Sequence, residues 1–97
     1  MSTLHVLSHS PFSDQRLHSC LRLLGSDDAI VLSGDAVYAL TPGSQPWASL
    51  ASVGVAVFAL FEDAQARALP SNPAVELLDY PAFVELTLAY DKVNSWL

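Results

Sequence analysis

Uncharged apolar runs alternate along the chain with segments of helical spacing. Positions 3–7 read as a first strand, broken at Ser10-Pro11. Ser13 stands where it can cap a helix with Asp14 in its first turn, an inner stripe of Leu17, Cys20, Leu21 and Leu24, and Gly25 as terminator. Positions 29–32 are a second strand ending in the turn residues Ser33-Gly34-Asp35, and 37–40 fit a short strand or a helical turn equally well. A short helix is expected over 47–52, started at Pro46. The clearest strand spans 53–59, uncharged throughout. Glu62 and Asp63 favour a helix start and Arg67 a helix end, which predicts a helix over 62–69. After a turn over 70–73, positions 75–78 make a fourth strand. Asp79 can cap a last helix over 80–90, with Pro81 tolerated in its first turn, and 91–97 read as a tail.

Strand runs that are apolar on both faces belong to a sheet covered on both sides. The expected class is therefore α/β, a small single-domain three-layer sandwich over 1–97 with a mainly parallel sheet of four or five strands. The last helix departs from ordinary amphipathic design. Phe83, Val84, Leu86, Leu88 and Tyr90 point in several directions around it, and Glu85 is its one internal charge. A helix apolar on nearly all sides needs cover on all sides, yet a terminal helix of a small domain has its own chain on one side only. The second cover is expected to be another protein, with Trp47, Phe83, Tyr90 and Trp96 as interface residues, aromatic rings being good anchors.

Composition sharpens this expectation. Of 97 residues, 52% are hydrophobic and only 14% charged, and the mean hydropathy is +0.35. A domain of this size hides only about two-thirds of its unfolded surface, so the excess calls for burial against other chains. Four Lys and Arg against ten Asp and Glu give a net charge of −6, and the cations are scattered. That excludes a direct grip on nucleic acid, which requires clustered cations to displace counterions. A single cysteine excludes an internal disulfide framework and a cysteine-built zinc site. The start lacks the basic and apolar regions of a secretory leader, and no apolar run reaches the ~20 residues of a membrane span. A soluble cytoplasmic protein without membrane contact is the expectation.

Candidate chemistry is sparse. There is no phosphate-binding glycine loop, no dinucleotide fingerprint and no nucleophile elbow. The expected carboxyl ends of the strands hold His9-Ser10, Ser33-Gly34-Asp35, Glu62-Asp63 and Asp79, an acidic edge that repels phosphate. His5 and His18 read as structural, and His9, at a strand end, is open to a polar role. No metal and no cofactor is expected. Cys20 is the one possible sulfur nucleophile. Its place on an apolar stripe fits a buried small hydrophobe, while Arg16, four residues earlier, could stabilise a thiolate.

The order of several short motifs carries a resemblance: Leu4-His5, Ser10-Pro11-Phe12, Ser33-Gly34-Asp35-Ala36-Val37-Tyr38-Ala39, then Phe58 through Leu69, then Asp79-Tyr80-Pro81-Ala82-Phe83-Val84-Glu85-Leu86-Thr87 and Trp96. Over nearly its whole length the chain resembles the TusB/DsrH family. The resemblance implies a small cytoplasmic subunit that assembles with TusC-like and TusD-like relatives into a dimer of heterotrimers. Such a complex relays persulfide sulfur from a TusA-like donor to a TusE-like acceptor, and onward to wobble 2-thiouridine in tRNA. The catalytic thiol of that complex lies on the TusD-like subunit, which makes a TusB-like chain non-catalytic or accessory. The resemblance also implies an alternative, since DsrH-like members of sulfur oxidisers can carry a cysteine in the first helix. Ser19-Cys20-Leu21-Arg22 matches there, so Cys20 as a thiol carrier stays open, as does a stand-alone small-molecule-binding α/β module. The turn Gly34-Asp35 departs from the family's more usual Asp-Gly and bears on local turn geometry.

Overall fold

The computed structural model describes residues 2–96; Met1 and Leu97, the two ends of the expected domain, lie outside them. Five strands form one sheet, all parallel: β1 (Thr3–Leu7), β2 (Ala29–Leu32), β3 (Ala56–Leu60), β4 (Glu76–Leu78) and β5 (Lys92–Trp96), in the order β4-β3-β2-β1-β5. Between them lie α1 (Arg16–Arg22), a 3₁₀ helix (Gly34–Leu40), α2 (Gln45–Ala51), α3 (Phe61–Ala66) and α4 (Tyr80–Leu88).

The strand order decides how the helices are shared out. The chain steps β1 to β4 in one direction, and parallel crossovers keep one hand, so their helices fall on one face. The last step reverses from β4 across to β5, which sends α4 to the other face. The core divides accordingly. Leu7, Ile30, Leu32, Val57 and Ala59 meet Leu17, Cys20, Val37 and Leu50 on the first face, with Trp47 and Trp96 packed beside them. On the second, Leu4, Ala29 and Val31 meet Phe83, Leu86 and Tyr90. Partnered residues of a parallel ladder share a face, and the register Leu4↔Ala29, Ala29↔Ala56 and Leu4↔Val93 sets this division.

Several local expectations are corrected. Ser13 does not cap α1: its N–H and hydroxyl turn back to the Ser10 carbonyl, and Asp14 Oδ1 accepts the Arg16 N–H instead. The residues 37–40 belong to the 3₁₀ helix, which buries Ala36, Val37, Ala39 and Leu40. The third strand starts at Ala56, because Gly54 adopts a φ of +74° and takes 53–55 out of the ladder. Ala68, at a φ of 54°, ends α3 earlier than expected. The expected tail is β5, an edge strand paired along β1 from Thr3↔Lys92 to Leu7↔Trp96. Asp79 caps α4 as expected, its Oδ1 accepting from the Ala82 N–H at 2.9 Å, whereas α2 starts at Gln45, two residues earlier than expected, with Ser44 Oγ accepting from the Trp47 N–H at 3.3 Å.

Candidate functional site

In open parallel sheets ligands usually settle beyond the carboxyl ends of the strands, where the topology switches direction. Here that edge is filled by the chain's own side chains. Gly34 begins the 3₁₀ helix after β2 with a φ of +50°, and its N–H donates to Asp63 Oδ2 at 2.8 Å. An amide that could receive an anion is thus taken by a carboxylate from α3. Arg67 donates from Nη2 and Nε to Asp35 Oδ1 at 2.8 and 3.1 Å, and its guanidinium lies over the Tyr38 ring at 5.7 Å. Two of the acidic groups expected at the strand ends, Asp35 and Asp63, are therefore held by Arg67 and Gly34.

A second internal cluster lies towards the opposite, amino ends of β1 and β2. His5, 5% exposed on β1, sits between Asp28 and Trp96. The Trp96 indole can only donate, so its Nε1–H at 3.1 Å makes His5 Nδ1 the acceptor. His5 Nε2 is then the protonated nitrogen and donates to Asp28 Oδ2 at 3.2 Å. Asp28 also accepts from the Thr3 N–H at 3.0 Å and the Gly25 N–H at 2.9 Å. The Gly25 amide first, then the His5 and Thr3 bonds, hold the Asp28 carboxyl below its ordinary value. The group ties β1, β5 and the turn before β2 into one unit, in keeping with a structural His5.

Cys20 lies on the inner side of α1 and is fully buried among Leu17, Ile30 and Val37. Burial pushes its thiol from the ordinary 9.0 to about 12, and the Asp28 carboxylate acts in the same direction. The Arg16 guanidinium is engaged by Asp14. This arrangement keeps the sulfur protonated and out of reach. His9 is exposed, with Nδ1 3.4 Å from Ser8 Oγ, and His18 is exposed on α1. Among the described residues no three His, Cys, Asp or Glu side chains gather as metal ligands, and no helix is long and apolar enough to cross a membrane.

An open groove of about 390 Å³ runs between α1 and α2, lined by Leu17, His18, Leu21, Gln45, Pro46 and Ser49. Among the described residues no buried side-chain polar atom lacks a partner.

The remaining candidate is apolar surface. Trp47, Phe83, Tyr90 and Trp96, singled out from the sequence as interface residues, are all half-buried against the chain's own two cores. The residues of α4 that face outward are others: Tyr80, Val84 and Leu88, exposed by 65, 45 and 82%. No residue of α4 is fully buried. Each of the four expected anchors keeps part of its surface in water. The i, i+4, i+8 spacing of 80, 84 and 88 was the available signal for the outward stripe.

A family model described as DsrH like protein matches residues 9–93. The chain is 36% identical over 96 residues to Protein TusB of Escherichia coli (strain K12), covering 96% of this chain and 99% of that protein. To Protein TusB of Enterobacter sp. (strain 638) it is 33% identical over 95 residues, with coverage of 96% and 99%. Among solved structures it is similar to the ychN protein from E. coli, with a TM-score of 0.78 over 99% of this chain and all of that one. Sequence identity to ychN is 23%, so that likeness speaks for the fold alone. With a family model spanning most of its length and full-length relatives of more than 30% identity, the chain belongs to the TusB/DsrH family.

Proposed function

We propose that the chain is a non-catalytic, accessory subunit of a TusBCD-like sulfur-relay complex in the cytoplasm, which passes persulfide sulfur towards wobble 2-thiouridine in tRNA. The observation that carries this reading is the state of the one cysteine. Cys20 is fully buried with its thiol raised to about 12, so the chain has no thiolate to offer a persulfide. Family membership supports the pathway, and the sealed thiol supports a role exercised through other subunits. The partners in this reading are TusC-like and TusD-like chains, with TusA-like and TusE-like proteins delivering and accepting sulfur. Each transfer exchanges a sulfane sulfur between two thiolates: the donor's S–S bond breaks, a new one forms on the acceptor, and no net oxidation occurs.

The test is reconstitution with the TusC-like and TusD-like subunits of the same organism, following radiolabelled sulfane sulfur from TusA-like donor to TusE-like acceptor. Transfer should require this chain and survive Cys20→Ala at full rate. Loss of transfer in a folded Cys20→Ala complex would refute the accessory role and favour a thiol carrier.

A further inference from the structure

Among the described residues the second face of the sheet is covered by α4, a helix of nine residues, and by Tyr90 just beyond it. Phe83 and Leu86 turn inward on Leu4, Ala29 and Val31, while Tyr80, Val84 and Leu88 stand in one outward stripe about 12 Å long. Val93 of β5, 45% exposed and in register with Leu4, extends the same face towards the sheet edge. Water wets four large apolar side chains on one side of the molecule.

The charges around this stripe identify what covers it. Residues 76–91 carry Glu76, Asp79, Glu85 and Asp91 and no Lys or Arg. Glu85 is exposed beside the stripe, Asp79 caps the first turn of α4, and Glu76 shares the face of Phe58 through the β3–β4 register. The next cation along the chain, Lys92, is paired with Thr3 in the ladder and so belongs to the opposite face from Leu4 and Val93. An apolar stripe with an all-acidic rim does not match itself. A second copy would set Glu85 and its neighbours against the same carboxylates and oppose two net charges of −6. We infer that the outward stripe Tyr80, Val84, Leu88 and its extension Val93 are the docking face for a different subunit, one presenting an apolar groove rimmed by Lys and Arg. This inference rests on the proposed role in a heterocomplex and says which face of the chain enters it.

The experiment is co-purification and affinity measurement of the chain with the TusC-like and TusD-like subunits of the same organism. Variants are Val84→Glu, Leu88→Glu and Glu85→Lys on α4, with Phe12→Glu and Leu23→Glu as exposed controls on the side of α1. Each variant is first checked by thermal melting, which should be unchanged because every substituted side chain is exposed. Val84→Glu and Leu88→Glu should weaken assembly by at least ~30-fold, the scale of a central anchor. Glu85→Lys should weaken it most at low salt and flatten its salt dependence, and the controls should bind as the wild type. If the wild type assembles and the α4 variants do so equally well, the docking face is refuted while the complex stands. A wild-type chain that binds neither subunit would overturn the heterocomplex and the docking face together. Self-association abolished by Leu88→Glu in sedimentation would also overturn the inference, in favour of a second copy.

Discussion

Thiol accessibility at Cys20 gives the sharpest quantitative test. Shifting the thiol from 9.0 to about 12 costs three decades of thiolate. At pH 8 about one cysteine in ten is ionised at the ordinary value, and about one in ten thousand at the shifted one. Alkylation proceeds through the thiolate, so ionisation alone slows the reaction by about a thousandfold. Burial acts as a second barrier, because Cys20 has no exposed surface and a reagent reaches it only when α1 lifts from the sheet. Iodoacetamide labelling followed by intact mass, in the folded chain and in urea, reads the ratio directly. The folded chain should react at least ~1,000-fold more slowly, and any residual rate should fall further when the fold is stabilised. Labelling of the folded chain within about tenfold of the unfolded rate would refute the sealed-thiol argument, since neither barrier would then be acting. The same comparison inside the assembled complex asks whether a partner opens the site.

Asp28→Ala leaves the part-buried Thr3 N–H and His5 Nε2–H without their acceptor and should cost about 3 kcal/mol in urea unfolding, with Asp28→Asn costing roughly half because one oxygen remains. The Asp28 carboxyl is held below its ordinary 3.8, so its contribution is complete above that pH and fades as pH falls through the lower folded value; acid unfolding of Asp28→Ala should show a correspondingly shallower pH slope. Trp96→Phe keeps the ring but removes the donor to His5 Nδ1 and should cost about 1–2 kcal/mol in denaturant melts, with Trp47 left as the fluorescent reporter. Gly34→Ala demands a left-handed φ of an alanine and brings its Cβ within 3.3 Å of the Ser8 carbonyl oxygen, so thermal melting should show a loss of about 1–2 kcal/mol.

How far the fold was legible depended on where the determining contacts lie. β1 and β2 are apolar runs bounded by turn residues, and α4 announces itself with Asp79 and Pro81; in these elements composition and caps agree with the final structure. β5 escaped because Lys92-Val93-Asn94-Ser95-Trp96 is an edge strand, polar at most positions, and its extended form depends on a ladder with β1 at the other end of the chain. The reverse error occurred at 53–55, apolar enough for a strand but removed from pairing by Gly54. The His5 cluster shows the same dependence. A lone histidine in a strand pointed to a structural role, but its partners Asp28 and Trp96 lie 23 and 91 residues away. Local pattern carries no information about such contacts. Trp47 and Trp96 illustrate the limit for surfaces: ring size says that a residue will bury area, not whether its own core or another chain receives it.

The arrangement of closed and open surfaces has a consequence for how variation in this chain should sort. At the carboxyl edge, Gly34 is tied to Asp63 and Arg67 to Asp35, while Trp96, His5 and Asp28 are joined nearer the amino ends of β1 and β2. These bonds hold the strand ends to one another, so substitutions there are expected to act on stability. On α4 the balance is inverted. Tyr80, Val84 and Leu88 contribute little to the fold they sit on, because their outer surfaces stay in water. Substitutions there leave melting unchanged and act on whatever the stripe meets. In a catalytic domain of this architecture the two classes would be reversed, with activity lost at the strand ends and tolerance on the outer helix. A mutational scan that separates melting temperature from complex formation should therefore divide this sequence by face, with the strand-end residues in the first class and the outward side of α4 in the second.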